Sequence, residues 1–141
     1  MKALTLWQPW AHIVCAGIKK VENRRWRPPR HAIGQRLAIH AGKVYDKDGA
    51  ATIKRLSGLD IPESACTKGA IIGTAKLVAH LDSTLGLESF VGEGQKKWFF
   101  GPIGWLLDDI MECEPVPCAG ALGLWRVPDF TLDILRQMGV A

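Results

Sequence analysis

No run of apolar residues in this chain approaches the roughly 20 that a bilayer-spanning helix requires, so a helical membrane span is excluded. Cysteine is scarce: Cys15, Cys66, Cys113 and Cys118 are the only four. The last two are near each other, but not at the C-x-x-C spacing of a zinc site, and no histidine accompanies them. Neither a structural metal nor a required disulfide is expected, which suits a reducing compartment. Cys15 falls in an apolar helical stretch and reads as a small hydrophobe. The glycine patterns of P-loops and Rossmann folds are missing, so no cofactor is expected. The N-terminus is too short and too quickly polar for a signal peptide, and the protein reads as cytoplasmic. Internal repeats and low-complexity tracts are absent.

What is present is an ordinary globular composition with an uneven charge. The chain has 141 residues, 48% of them hydrophobic, and a net charge of +4. That length predicts one domain, residues 1–141, with a proper core. Residues 1–70 carry 13 Lys and Arg against 5 Asp and Glu; residues 71–141 carry 5 against 9. Between Lys19 and Arg36 lie seven basic residues and one acid, Glu22. Positive charge this concentrated attracts phosphates.

The densest point is Gly17-Ile18-Lys19-Lys20-Val21-Glu22-Asn23-Arg24-Arg25-Trp26. Gly17 can end a helix, because glycine takes the left-handed conformation without steric cost. From Val21 the chain reads as extended, and in a strand residues two apart share a face at roughly 6.5–7 Å. Glu22, Arg24 and Trp26 would then line one face, with Val21, Asn23 and Arg25 on the other. Arg24 two places from Glu22 can hold that carboxylate ionised and aimed. Lys19 sits in the turn before the strand.

Gly17-x-Lys19-x-x-Glu22-x-Arg24 resembles the G-x-K-x-x-E-x-R signature of ASCH domains, relatives of the PUA domain. Four further blocks agree: Leu6-Trp7-Gln8-Pro9-Trp10, Ala38-Ile39-His40-Ala41, Gly101-Pro102-Ile103-Gly104-Trp105 and Gly123-Leu124-Trp125-Arg126. The resemblance covers about residues 2 to 128. It implies an α+β fold, a small PUA-like β-barrel flanked by α-helices, with the motif lining a cleft. RNA or DNA binding is the usual role proposed for the family, and some members are small hydrolases.

Local signals place the remaining elements. Lys2 to Trp7 reads as a strand, and Pro9 opens a short helix carrying Trp10, Ile13 and Val14 on one face. Arg27-Pro28-Pro29-Arg30-His31 is a stiff basic loop. Arg36 to Ala41 is a strand in which His40 has the parity opposite to Leu37 and Ile39; a hydrogen-bonded structural histidine and a ligand contact both remain open. Asp46 or Asp48 caps a helix that Gly58 ends. Gly69 to Leu81 suits a strand of a closed barrel, apolar on both faces. Asp82 to Lys97 reads as a long loop, a candidate lid, in which Glu88 or Glu93 is a possible second carboxylate. Trp98 to Leu107 reads as a hairpin around Gly101-Pro102. Pro115 and Pro117 are expected to interrupt the strand that follows. Leu124 to Val127 is expected to close the barrel, and a last helix is expected at about 129–139.

Two functions follow. In the first, a basic cleft binds RNA or another single-stranded nucleic acid, or a modified nucleoside. Phosphates would meet Lys19, Lys20, Arg24, Arg25, Arg27 and Arg30. A base would enter toward Trp26 and Glu22, with His40 nearby. Trp105 and Trp125 read as core. In the second, the protein is an enzyme. Proteins similar to this one remove an acyl group from N4 of cytidine, and others in the family cleave RNA. Lys19 would then activate water or attack, if its pKa is depressed, with Glu22 and Arg24 beside it. Tyr45 with Lys43 or Lys54 is a further catalytic candidate. In the small-hydrolase subgroup a threonine stands where this chain has Glu22.

Overall fold

The computed structural model describes residues 1–85 and 92–141. Its centre is a six-stranded sheet in the order β2-β5-β4-β3-β1-β6. The strands are β1 (Lys2–Gln8), β2 (Val21–Arg24), β3 (Arg36–Tyr45), β4 (Ala70–Asp82), β5 (Ile103–Pro117) and β6 (Leu124–Arg126). The helices are α1 (Trp10–Cys15), α2 (Lys47–Ser57) and α3 (Asp129–Gln137). All neighbours pair antiparallel except β1 with β3.

Alternation along the strands divides the core into two layers. Leu4 and Leu6 of β1 join Leu37 and Ile39 of β3 against Ala11 and Val14 of α1. Ala3, Ala38 and Ile71 face the other way, onto Leu135 of α3 and Val140. A third cluster, Ile13, Val21, Ile53, Leu81 and Trp98, ties α1 and α2 to the motif strand. Burying such side chains contributes about 1.5–3 kcal/mol each, less the entropy of ordering them.

The expected barrel is not formed: the sheet is open among the described residues. The edge strands explain this. β2 spans four residues and pairs with β5; β6 spans three and pairs with β1. No strand pairing joins β2 to β6, and the β2 side reaches β1 only through a side chain, Arg24 Nη2 donating to the Thr5 carbonyl. The expected proline break is also absent, since β5 runs unbroken for 15 residues through Pro115 and Pro117. The register slips between Ile71 and Gly73, which pair with Val116 and Glu112, so Cys113 to Pro115 lie in an irregularity that needs no ladder donor at Pro115. The expected hairpin is replaced as well: Glu93–Trp98 is a 3-10 turn leading into β5.

The helix signals behave as local chemistry dictates. Asp46 caps α2, its Oδ1 accepting from Gly49 N at 2.9 Å, and Gly58 ends it at φ 76°. Gly17 takes φ 76° after α1. The N–H groups of Ile18 and Lys19 then donate to the Ile13 carbonyl at 3.0 and 3.2 Å, which delivers Lys19 to the start of β2.

Candidate nucleic-acid interface

Three concavities follow one another along the end of the sheet, each sharing walls with the next. The first, about 230 Å³, is lined by Trp10, Lys19, Glu22, Asn23 and Phe100. The second, about 220 Å³, adds Thr5, Trp7, Arg24 and Asp46. The third and largest, about 660 Å³, shares Thr5, Trp7 and Arg24 with the second and extends to His40, Lys43 and the Cys118–Gly123 loop. Together they form a groove with Arg24 at its middle.

The motif supplies the floor. Lys19 is 2% exposed, with its Nζ 4.0 Å from Glu22 Oε2 and hydrogen-bonded to the Val21 carbonyl. The Trp10 ring lies 5.3 Å from the same ammonium. Burial pushes the Lys19 pKa below its ordinary value; the Glu22 carboxylate opposes this and Arg24 adds to it. Arg24 Nε lies 3.7 Å from Glu22 Oε1, and its Nη2 donates to the Thr5 carbonyl at 3.2 Å. Glu22 Oε2 and Arg24 Nε are buried without a hydrogen-bond partner. Buried polar atoms are normally satisfied by hydrogen bonds; these two instead each face an opposite charge of the cluster, Glu22 Oε2 toward Lys19 and Arg24 Nε toward Glu22 Oε1.

Neighbouring side chains hold this cluster still. Asp46 Oδ2 accepts from Trp10 Nε1 at 2.9 Å, so the cap of α2 also fixes the indole above Lys19. Asn23 donates to the Trp98 carbonyl at 2.9 Å and accepts from Phe100 N at 2.8 Å. Gln95 accepts from Lys20 N at 2.7 Å and donates to the Ile18 carbonyl at 3.1 Å. The segment before β5 is thereby stapled to the motif.

His40 lies opposite Thr5 in the parallel β1–β3 register. Its Nε2 donates to the Cys118 carbonyl at 2.9 Å, which leaves Nδ1 to accept from the Thr5 hydroxyl at 3.2 Å. Thr5 Oγ1 in turn accepts from Trp125 Nε1 at 3.0 Å. His40 is off the Leu37 and Ile39 face as expected, yet it is buried, because the loop after β5 covers it. Burial lowers its pKa, keeping the imidazole neutral at pH 7.

Other expected site residues lie elsewhere. β2 ends at Arg24, so Trp26 leaves the strand and its shared face. Its ring packs edge-on against Trp105 at 4.8 Å, and its carbonyl accepts from Trp105 Nε1 at 3.0 Å. Lys20 turns to the opposite side and pairs with Asp108 at 3.3 Å. Arg27 pairs with Asp82, whose pKa is held down to about 2 by the Thr84 hydroxyl first and then by Arg27. Arg25 and Arg30 are exposed and line none of the three concavities. Tyr45 donates to the Ile61 carbonyl, and burial raises its pKa, so its phenol is an anchored donor. Lys54 pairs with Asp60, the residue beside Tyr45's acceptor Ile61, at 3.7 Å. Glu93 pairs with Lys96 at the surface, and Glu88 lies outside the described residues.

Sequence reasoning missed Thr5, Asn23, Asp46 and Phe100 as groove residues, and preferred Trp26 to Trp7. The alternation of β1 held the clue: with Leu4 and Leu6 inward, Thr5 and Trp7 face the other way. Among the described residues no group of three His, Cys, Asp or Glu is placed to hold a metal, and no helix is long and apolar enough to cross a membrane.

Comparison with known proteins bears on the fold and the family. The crystal structure of ASCH from Zymomonas mobilis superposes with a TM-score of 0.58 at 22% identity, covering 97% of this chain and 94% of that one. A tyrosine-to-phenylalanine mutant of the same protein gives 0.58 at 22% identity, covering 97% and 96%. A serine-to-alanine mutant gives 0.57 at 21% identity, covering 97% and 94%. No curated protein sequence matches. The sequence model of the ASCH domain matches residues 4–104, which contain the whole Lys19–Glu22–Arg24 cluster, and the chain therefore belongs to the ASCH domain family.

Proposed function

We propose that this protein binds single-stranded nucleic acid, RNA in particular, along the groove centred on Arg24. The observation that carries the reading is the Lys19–Glu22–Arg24 cluster set in a groove that three aromatic rings border. A carboxylate and a guanidinium 3.7 Å apart supply an acceptor and donors for the mixed edge of a nucleobase. The walls are Trp10, Trp7 and Phe100, whose flat rings suit bases. The cleft itself is charge-balanced, since Asp46 and Glu22 face Lys19 and Arg24; the surplus positive charge lies outside it. The motif is thus read as recognising the base, while phosphates meet cations at the groove's margins.

Arg24→Ala removes one charged donor and leaves Glu22 without its partner. It is expected to weaken RNA binding about ten- to a hundredfold, the equivalent of one hydrogen bond to a charged group. Fluorescence anisotropy at low salt, with circular dichroism to check the fold, measures this. Wild-type protein without RNA affinity at low salt would overturn the reading.

A second reading, a small hydrolase acting on N4-acylated cytidine or on RNA, is favoured by one feature, the buried amine of Lys19. A lysine with a lowered pKa can take a proton from water or attack a carbonyl carbon. Lys19→Arg keeps the charge but cannot deprotonate, so it separates the two readings. Turnover lost with binding kept supports the enzyme; no turnover by wild type on either substrate removes it.

A further inference from the structure

We infer that the 660 Å³ cavity is a slot for one base of the bound strand, with the Trp7 indole as its stacking face and Leu122 among its apolar lining. This rests on the single-stranded nucleic acid reading above and goes beyond it, because it places a base outside the motif.

The walls are the first argument. Trp7 is 55% exposed and Leu122 98% exposed, yet both border the same cavity. An indole and a leucine left to water at the same cavity make an apolar surface suited to a flat ring. The cavity's size lies within the roughly 300–1,000 Å³ of small-molecule pockets.

The floor is the second argument. Thr5, His40 and Cys118 line the cavity, and a chain of hydrogen bonds from Trp125 Nε1 through Thr5 and His40 to the Cys118 carbonyl satisfies their polar groups. That surface offers no open charge to an ion, and the histidine within it is neutral. Unmatched charge lies at the side instead, on exposed Lys43. A neutral ring inside with an anionic group at the margin describes a nucleotide. Because Arg24 also borders the motif concavity, adjacent nucleotides of one strand can occupy the two sites, which favours a strand over a free nucleotide.

The test uses the full chain and short single-stranded RNAs, each carrying one abasic position scanned along its length. Trp7→Ala is expected to weaken binding of the intact strand roughly tenfold to a hundredfold, the loss of one stacked base. Trp7→Phe is expected to retain most of the affinity. One abasic position should weaken wild-type binding by a similar factor and abolish the difference between wild type and Trp7→Ala. Trp7→Ala binding as tightly as wild type, or suffering the same loss at every abasic position, overturns the slot while leaving the RNA reading intact. Wild type that binds no RNA overturns both. A free nucleoside monophosphate that binds more tightly than any strand overturns the assignment to a strand.

Discussion

A lysine at 2% exposure, beside one glutamate and beneath one indole, is the least ordinary residue of this protein. Removing an ammonium from water is costly, and the 4.0 Å gap to Glu22 is too long for a direct hydrogen bond. Burial therefore prevails over attraction, and the Lys19 pKa falls below 10.5. The consequence for stability has a definite sign. Between the folded pKa and the unfolded value near 10.5, the unfolded chain holds a proton that the folded chain has released. Stability at this residue therefore rises with pH across that window. Lys19→Met removes the titration. Wild type should gain stability relative to Lys19→Met as pH climbs toward 10.5, and the Lys19 Cε resonance should titrate below 10.5. A midpoint at or above that value would show that Glu22, rather than burial, governs the amine.

At the scale of elements, the loop after β5 matters most, because it closes over the face that α3 leaves uncovered. Gly120 allows this approach. A Cβ there would lie 2.6 Å from His40 Cε1, 2.6 Å from Thr5 Oγ1 and 2.7 Å from His40 Nδ1. Those atoms are locked in the Trp125–Thr5–His40–Cys118 chain and have little room to yield. Gly120→Ala should therefore cost about 1–3 kcal/mol and lower Tm by roughly 3–10 °C. An unchanged melting temperature would mean that the loop shifts freely and that the histidine does not anchor it. This contact could not be read from the chain, since it joins residues 80 positions apart and glycine advertises only turns. Local features were legible by contrast. Asp46 and Gly58 bounded α2, Gly17 ended α1, and the spacing of Glu22 and Arg24 placed them side by side. Errors arose where pairing decided the outcome. Pro115 is tolerated within β5 because the register slips across Cys113 to Pro115, and Pro117 is the strand's last residue. Trp26 left the motif face because β2 stops after four residues and Trp105 supplies both a ring and a donor.

For the whole molecule, the sequence shows a dense block of positive charge, but folding spends most of it on partners. Of the cations from Lys19 to Arg36, Lys19 and Arg24 face Glu22, Lys20 pairs with Asp108, Arg27 with Asp82 and Arg36 with Asp109. These acids come largely from β4 and β5, in the acidic half of the chain. Among the described residues, Arg25 and Arg30 are the exposed cations of this segment outside any ion pair. A cation already matched by a carboxylate releases little counterion charge from a phosphate, whereas a free one contributes about 0.7 to the salt slope on a single strand. The double variant Arg25→Ala/Arg30→Ala should therefore reduce the slope of log affinity against log salt by roughly 1.4, with similar losses for different RNA sequences. Arg27→Ala should change it by less than about 0.7, because Asp82 already opposes that charge. Binding titrations from low to moderate salt for wild type and both variants measure this. A slope unchanged in the double variant, or reduced more by Arg27→Ala alone, would show that Arg25 and Arg30 do not meet the phosphates.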